Sequence, residues 1–409
     1  MPVFPPATAT ARSWALAVTL LSAGACDRSG EQPGTHPGAL DGEDFFLAPV
    51  VDTVGRVGAG ATDEGYLVQV VSVAFDASGN LHALDADRHQ VAIWNRRGEV
   101  LRIVGTHGEG PADFRRPVAA FVFRDGTLAV YDTSQRSFKF FDSEGRFRRG
   151  VRTSPGPVPG RAAVAVGDGL WVGPDEPWMT AGSSDEETTR PVFAYSFVED
   201  TVRAEPFFDA WRPEPEPDGE FRGFGPMLRL GGLSDGRVAL VDSVGYRVKV
   251  LSREGLVERI LERPIDPFPV SAEAMEAERE RRRAGMTERR ILRTVADLPF
   301  RIRLSEADVS GLIGSYHADV AEMQFHAQIP VIYRLAVDWE DRIWVLRTDS
   351  TGGDQGLADL LTPNGEYLGT VRFEDLALPT AFGPDGLMAY VQTDELGVQT
   401  ILVVKLISL

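Results

Sequence analysis

Between Val70 and Arg152 the chain writes one pattern twice. The first copy reads VVSVAFDASGNLHALDADRHQVAIWNRRGEVLRIVG, the second PVAAFVFRDGTLAVYDTSQRSFKFFDSEGRFRRGV. At a shift of 47 residues Gly79 falls on Gly126, Asp85 on Asp132, Trp94 on Phe141 and Gly98 on Gly145. Each copy holds four short runs in which apolar and polar residues alternate, separated by turns containing Gly or Asp. Alternation with a period of two marks a half-buried strand, because successive side chains point to opposite faces. Each copy therefore predicts a meander of four antiparallel strands.

The first turn of the meander recurs at 79, 126, 169, 236, 341 and 386. Units of this size repeat when each must bury its faces against its neighbours. Six of them predict an all-β fold, a six-bladed β-propeller over residues 44–409. Blades one and two span 68–104 and 117–152. Blade three opens at Asp168-Gly169, four at Asp235-Gly236, five at Asp341-Arg342 and six at Asp385-Gly386. The last blade has only three strands before the chain stops near Val398–Leu406, whereas Phe45–Val54 is a strand-like run with no partner. Pairing the two closes the ring and removes an open sheet edge. Between blades four and five lies a helical insert, 264–329. Its helices are expected at Ser271–Ala284, Thr287–Asp297 and Ser305–Gln324. The third opens on the capping pair Ser305 and Asp308. Its apolar stripe of Val309, Leu312, Ile313, Tyr316, Val320 and Met323 is expected to rest on the propeller.

The N-terminus bears on location. Arg12, the apolar run Trp14–Leu21 and Ser22-Ala23-Gly24-Ala25 have the layout of a secretory signal peptide over residues 1–25. That run is too short to span a bilayer. The chain's one cysteine, Cys26, follows at once, so no intrachain disulfide exists. LSAGAC resembles a bacterial lipobox, with Ala23 where Leu is usual, and the resemblance implies lipidation at Cys26. Plain signal cleavage after Ala25 is the alternative. Residues 26–43 are rich in Gly and Pro and read as a flexible tether. The expected location is exported, a periplasmic or cell-envelope lipoprotein touching the membrane through its lipid anchor only. A formal charge of −18 disfavours nucleic acid as a partner, since phosphate backbones repel an acidic surface.

After blade one comes GTHGEGPADF, Gly105–Phe114. With the repeated turns it resembles the bacterial six-bladed, NHL-like β-propeller lipoproteins, whose loop reads G-x-x-G-x-G-P-G-E-F. Ala112 and Asp113 replace the usual Gly and Glu. The resemblance covers the chain from about residue 44 and implies fold and export. It does not imply one activity, because propellers host many functions.

Strands of a meander alternate in direction. The turns joining first to second and third to fourth strands therefore share one face, and these are short. Loops joining second to third strands, and the links between blades, share the other face. That link face carries the long excursions, and loops on a rigid scaffold are where function usually sits. Its candidate ligand loop holds His107, Glu109, Arg115 and Arg116, and the glycine amides there offer a possible anion cradle. The insert is expected to form a lid over the channel mouth. Asp85, Asp132, Asp175 and Asp242 end the second strands, either as a carboxylate ring for a cation or as caps on turn amides. Arg347 and Gln392 interrupt the series. His36, His82, His89, His107, His317 and His326 lack the i, i+4 spacing of a zinc helix. Trp94, Trp171 and Trp344 read as packing residues, Trp178 and Trp211 as loop residues. No G-x-S-x-G elbow is present. The functional expectation is a non-catalytic module binding a peptide, protein or glycan, with no cofactor identified. The alternative is a metal-dependent lyase or lactonase-type hydrolase with its site in the central channel.

Overall fold

In a computed structural model of the chain, the described residues are 40–58, 66–153, 159, 163–166, 170–174, 189–211, 222–296, 303–374, 377–394 and 397–409. The signal peptide, Cys26, most of the tether, the Asp168-Gly169 turn, Asp175 and Trp178 lie outside them. The fold is mostly β, with few helices, and propeller-like.

Two short strands come first, β1 (Phe46–Leu47) and β2 (Val50–Val57). The first meander is β3 (Val70–Phe75), β4 (Leu81–Asp85), β5 (Gln90–Trp94) and β6 (Val100–Val104). Eight strands then form one sheet. They are β7 (Pro117–Val122), β8 (Leu128–Asp132), β9 (Ser137–Phe141), β10 (Phe147–Arg152), β11 (Val164–Val166), β12 (Leu170–Pro174), β13 (Thr189–Val198) and β14 (Thr201–Trp211). That sheet is two meanders whose outer strands, β10 and β14, meet in the single parallel pair Arg152–Thr201. Next comes β15 (Arg229–Gly232), β16 (Val238–Val241), β17 (Arg247–Leu251) and β18 (Val257–Glu262). After helices α1 (Ala272–Gly285), α2 (Glu288–Ala296) and α3 (Glu306–Glu322) the chain returns to β19 (Ile332–Val337), β20 (Ile343–Thr348), β21 (Asp354–Leu361) and β22 (Tyr367–Arg372). It ends in β23 (Ala381–Phe382), β24 (Leu387–Thr393) and β25 (Gln399–Ser408).

The expected closing strand divides its work. Val50–Val57 pairs antiparallel with β25, Asp52 opposite Lys405 and Val57 opposite Ile401. Phe46–Leu47 instead adds in parallel to β22. Gly369 makes this possible: a Cβ there would lie 2.6 Å from the Leu47 side chain. The turns follow from sequence too. Gly79, Gly126 and Gly236 have positive φ at the same turn position, and Asp341 takes φ 61° at theirs, a conformation Asp tolerates better than most residues.

Core clusters run from sheet to sheet in a cycle. Leu84, Val91 and Phe114 pack on Leu128 and Phe141, and Phe138 packs on Trp171 and Tyr195. Val172 and Phe207 pack on Leu240, Val248 and Leu261 lie with Ile343 and Tyr367, and Trp344 and Leu346 have Phe382 and Leu409 against them. Leu387, Ala389 and Ile401 then pack on Phe75, Leu81 and Trp94, joining the last sheet to the first. Burial of this much apolar surface is the dominant stabilising term.

The helices form where expected. Ser271 caps α1 by accepting from the Ala274 amide, and Ser305 with Asp308 completes a capping box on α3. The stripe on α3 departs from expectation. Val309 and Val320 are buried, Leu312 is 47% exposed, and the helix packs chiefly on α1 and α2 rather than on the sheets. The insert is tied to neighbouring loops: Gly223 donates to the Gln324 carbonyl, His326 N to the Gly223 carbonyl, and Arg281 to the Thr351 carbonyl.

Candidate functional site

The link face is built on the residues that end the second strands. Asp85 accepts from the amides of Val68 (2.7 Å), Gln69 (3.1 Å) and Arg88 (3.1 Å). Asp132 does the same for Arg115 (2.6 Å), Arg116 (3.0 Å) and Gln135 (3.0 Å). Asp242 accepts from the Trp211 amide at 2.8 Å and from Lys249 Nζ at 2.6 Å. All three are buried. Asp85 and Asp132 each fix the incoming link and their own loop and so act as caps, while Asp242 ties the Trp211 amide to Lys249.

Two of the chain's three lysines belong to this device. Lys139 lies opposite Val130 and Lys249 opposite Leu240, the same register two residues before Asp132 and Asp242. The position equivalent to these lysines on β21 is Asp359, opposite Val345, and the strand-ending residue is Arg347. The pair is thus present with its charges exchanged. Arg347 has no acceptor for link amides and looks elsewhere. It donates to Asp359 Oδ2 at 3.0 Å and to Asp44 at 2.8 and 2.7 Å. Arg263 completes the cluster, 2.9 Å from Asp359 and 3.1 Å from Asp44, and also donates to the Gly42 carbonyl. Hydrogen bonding from Arg347, working against burial, holds the Asp44 carboxyl below its usual range. The exchange therefore makes a dock for the segment that leads into the closing strands.

The Gly105–Phe114 loop is filled from within. Phe114 is fully buried, and a Cβ on Gly105 would lie 2.1 Å from its ring. Asp113 folds back into the loop, taking the Gly110 amide at 2.9 Å. The Gly110 amide is thus taken by the loop's own carboxylate, and the Gly108 amide by the Phe114 carbonyl. Beneath it, Lys139 Nζ donates to the carbonyls of Gly110 and Asp113, and burial draws its pKa down. Of the expected ligand residues, Glu109 and Arg115 form an exposed ion pair. Arg116 is held by its backbone. The rings of His107 and His89 meet edge to face, centroids 4.5 Å apart. Burial, then the charge of His107, lowers the His89 pKa. Among the described residues no group of three or more His, Cys, Asp and Glu is placed to hold a metal ion.

A second feature of this face was not legible in the sequence. Tyr66, Trp211, Met227, Phe268 and Tyr333 all lie at its links or strand ends and are exposed, Trp211 by 45% and Met227 by 57%. Arginines stand among them. Arg88 stacks on Tyr66 at 4.1 Å, Arg190 donates to Pro226, and Arg229 donates to the Tyr333 carbonyl. Arg334 donates to the carbonyls of Leu378 and Pro379. Burial, then the like charge of Arg229, lowers its pKa.

The channel has two halves. The half toward the link face, about 380 Å³, is walled by Val70–Val73, Ala119–Phe121, Ala163, Thr380 and Val391. No insert residue lines it. The half toward the short turns is larger, about 830 Å³, and touches β3, β7, β11, β15, β19 and β23 together. Its deep wall is Val, Ala, Gly and Phe, and its rim carries Arg124, Asp125, Asp338 and Trp339.

No protein-family model matches the chain, and no curated protein matches it. Similar solved structures include a protein of Bacteroides fragilis classed as exported, 11% identical over 88% of this chain and 96% of that one, with TM-score 0.48. A member of the DUF4221 family from Bacteroides vulgatus is 11% identical over 89% and 98%, TM-score 0.47. A gluconolactonase of Xanthomonas campestris is 11% identical over 91% and 98%, TM-score 0.39. Likenesses this distant carry no functional argument.

Proposed function

We propose that this protein is an exported, six-bladed β-propeller of NHL-like type, held at the cell envelope by a lipid on Cys26. On this reading it is a non-catalytic module that binds a peptide, protein or glycan on its link face. The blade count is supported by the cycle of core clusters and by the single bridge joining the two halves of the eight-stranded sheet. The anchor is supported by LSAGAC alone. It predicts palmitate labelling that disappears in Cys26→Ser.

The observation that carries the binding reading is the set of exposed Tyr, Trp, Met and Phe side chains, with Arg beside several of them, at the links and strand ends of one face. Tyr, Trp and Arg are the residues that most often supply binding energy at interfaces, because rigid rings and planar guanidiniums lose little entropy on contact. Asp85 and Asp132 spend both carboxylate oxygens on link and loop amides. The arginines favour a ligand with acidic groups.

Peptide and glycan arrays probed with the purified chain and with a Trp211→Ala, Tyr333→Ala double variant test this. Binding that is lost in the variant while the melting temperature is kept supports the reading. Blank arrays together with lactone hydrolysis or lyase turnover that requires added divalent metal would overturn it.

A further inference from the structure

One row of first-strand residues changes character part-way round the ring. Each member stands opposite the residue just before the strand-ending position. Ser72 is opposite Leu84, next to Asp85, and Ala119 is opposite Tyr131, next to Asp132. By the same register Arg229 is opposite Val241, next to Asp242, and Arg334 is opposite Leu346, next to Arg347. Ser72 and Ala119 line the link-face half of the channel, and so does Thr380. The row is small and uncharged in β3 and β7, and is arginine twice over in β15 and β19.

Members of this row reach toward the next sheet. Ser72 Oγ accepts from the Ala120 amide at 3.1 Å. Arg229 Nε donates to the Tyr333 carbonyl at 3.3 Å, and Arg334 donates to the carbonyls of Leu378 at 3.0 Å and Pro379 at 2.8 Å. A hydroxyl suffices to tie two sheets, as Ser72 shows. The arginines add charge, and they add it as neighbours, since Arg229 is bonded to the residue before Arg334. The buried arginines Arg263 and Arg347 are paired with Asp44 and Asp359. Arg229 and Arg334 are half-buried, and among the described residues they bond only to carbonyls. Asp354 acts on Arg334, but Arg229 acts on it more strongly with the opposite sign. The lining of the link-face half supplies no acid, being Val, Ala, Ser, Thr and Phe. Like charges held together away from bulk water are costly unless an anion joins them.

We propose that the link-face end of the channel holds an oxyanion, a carboxylate or a phosphate, between Arg229 and Arg334. Arg229 spends only Nε on the protein, so both of its Nη groups can donate to the anion, and the planar fork suits either group. A space of about 380 Å³ beside them admits the acidic end of a ligand, with the small side chains of the row as its far wall. This deepens the reading of the link face as a binding face and rests on it: the anion is the acidic group of the ligand bound there.

Calorimetric titration of the purified full chain at low salt with succinate, inorganic phosphate and uncharged succinamide tests this. At least one of the two anions binds one to one, millimolar or tighter, and succinamide at least tenfold more weakly. The tighter anion tells carboxylate from phosphate. Arg229→Gln and Arg334→Gln each keep a donor for their carbonyls and weaken that anion at least tenfold. The anion raises the melting temperature of the wild-type chain and of neither variant. Arg334→Lys, which keeps the charge without the fork, loses less than Arg334→Gln. No saturable binding of either anion, succinamide bound as well as succinate, or glutamine variants that bind as before would each overturn the proposal. Array ligands that need Trp211 and Tyr333 yet bind Arg229→Gln unchanged would end the anion site and leave the link-face reading standing.

Discussion

Replacing Asp44 by Ala should loosen the ring closure by a calculable amount. Asp44 accepts two hydrogen bonds from Arg347 and pairs with Arg263. Without it, two guanidiniums share the one carboxylate of Asp359, in a site where Arg263 and Asp359 side chains are almost sealed from water. Breaking a buried ionic network by removing one member costs about 3–5 kcal/mol. The Asp44 side chain is 27% exposed, so water compensates in part and about 2–3 kcal/mol is expected. At about 2–4 °C per kcal/mol for a large domain, the melting temperature falls by roughly 4–12 °C. Asp359→Asn, fully buried and bonded to both arginines, should cost more. The folded Asp44 carboxyl holds its proton less tightly than an unfolded one, whose pKa is 3.8. Its contribution is therefore complete above about pH 5 and fades as pH falls through the lower, folded value. Thermal denaturation followed by circular dichroism should show the wild type and Asp44→Ala far apart at pH 7 and converging in strong acid. Equal melting temperatures at pH 7, or Asp44→Ala costing more than Asp359→Asn, would refute this account of the dock.

Two further consequences are testable together. Lys139→Met removes the ammonium beneath the Gly105–Phe114 loop and strands two carbonyls, at a cost of about 1–3 kcal/mol. Amide exchange should quicken across 108–114 and not in β15–β18. His89 has a folded pKa below its unfolded 6.5, so its contribution to stability is present above pH 6.5 and is lost as pH falls through the folded value. His107→Ala removes the second cause of that shift and should flatten melting temperature against pH between 7 and 5.

The frame was legible because its signals are local. The turns at Gly79, Gly126 and Gly236, the alternating runs and the Ser305–Asp308 cap each involve residues a few positions apart. The strand missing from the last meander could be inferred because the orphan run had to pair somewhere. Its division between β22 and β25 could not, since that rests on Gly369 leaving room for Leu47. The α3 stripe misled about its partner: an apolar stripe says that something covers it, and here α1 and α2 do. The exchanged charges at Arg347 and Asp359 were visible only as an interruption in a row of aspartates. The third-strand motifs F-K-F and V-K-V were the available signal, hidden because their partner strand fixes the register. Trp171 was read correctly as packing, since it is fully buried against Phe121, Phe138 and Phe197.

The account rests on a ring closed between the two ends of the β region, and a covalent bond between register partners tests that most directly. In a Cys26→Ser background, cysteines at Asp52 and Lys405, which lie opposite each other on β2 and β25, should join under mild oxidation. The product should run faster on a non-reducing gel and melt higher than its reduced form. Cysteines at Asp52 and Lys249, on separate strands, should stay free under the same conditions. An Asp52–Lys405 pair that stays reduced, or one that closes no faster than the control, would contradict the ring.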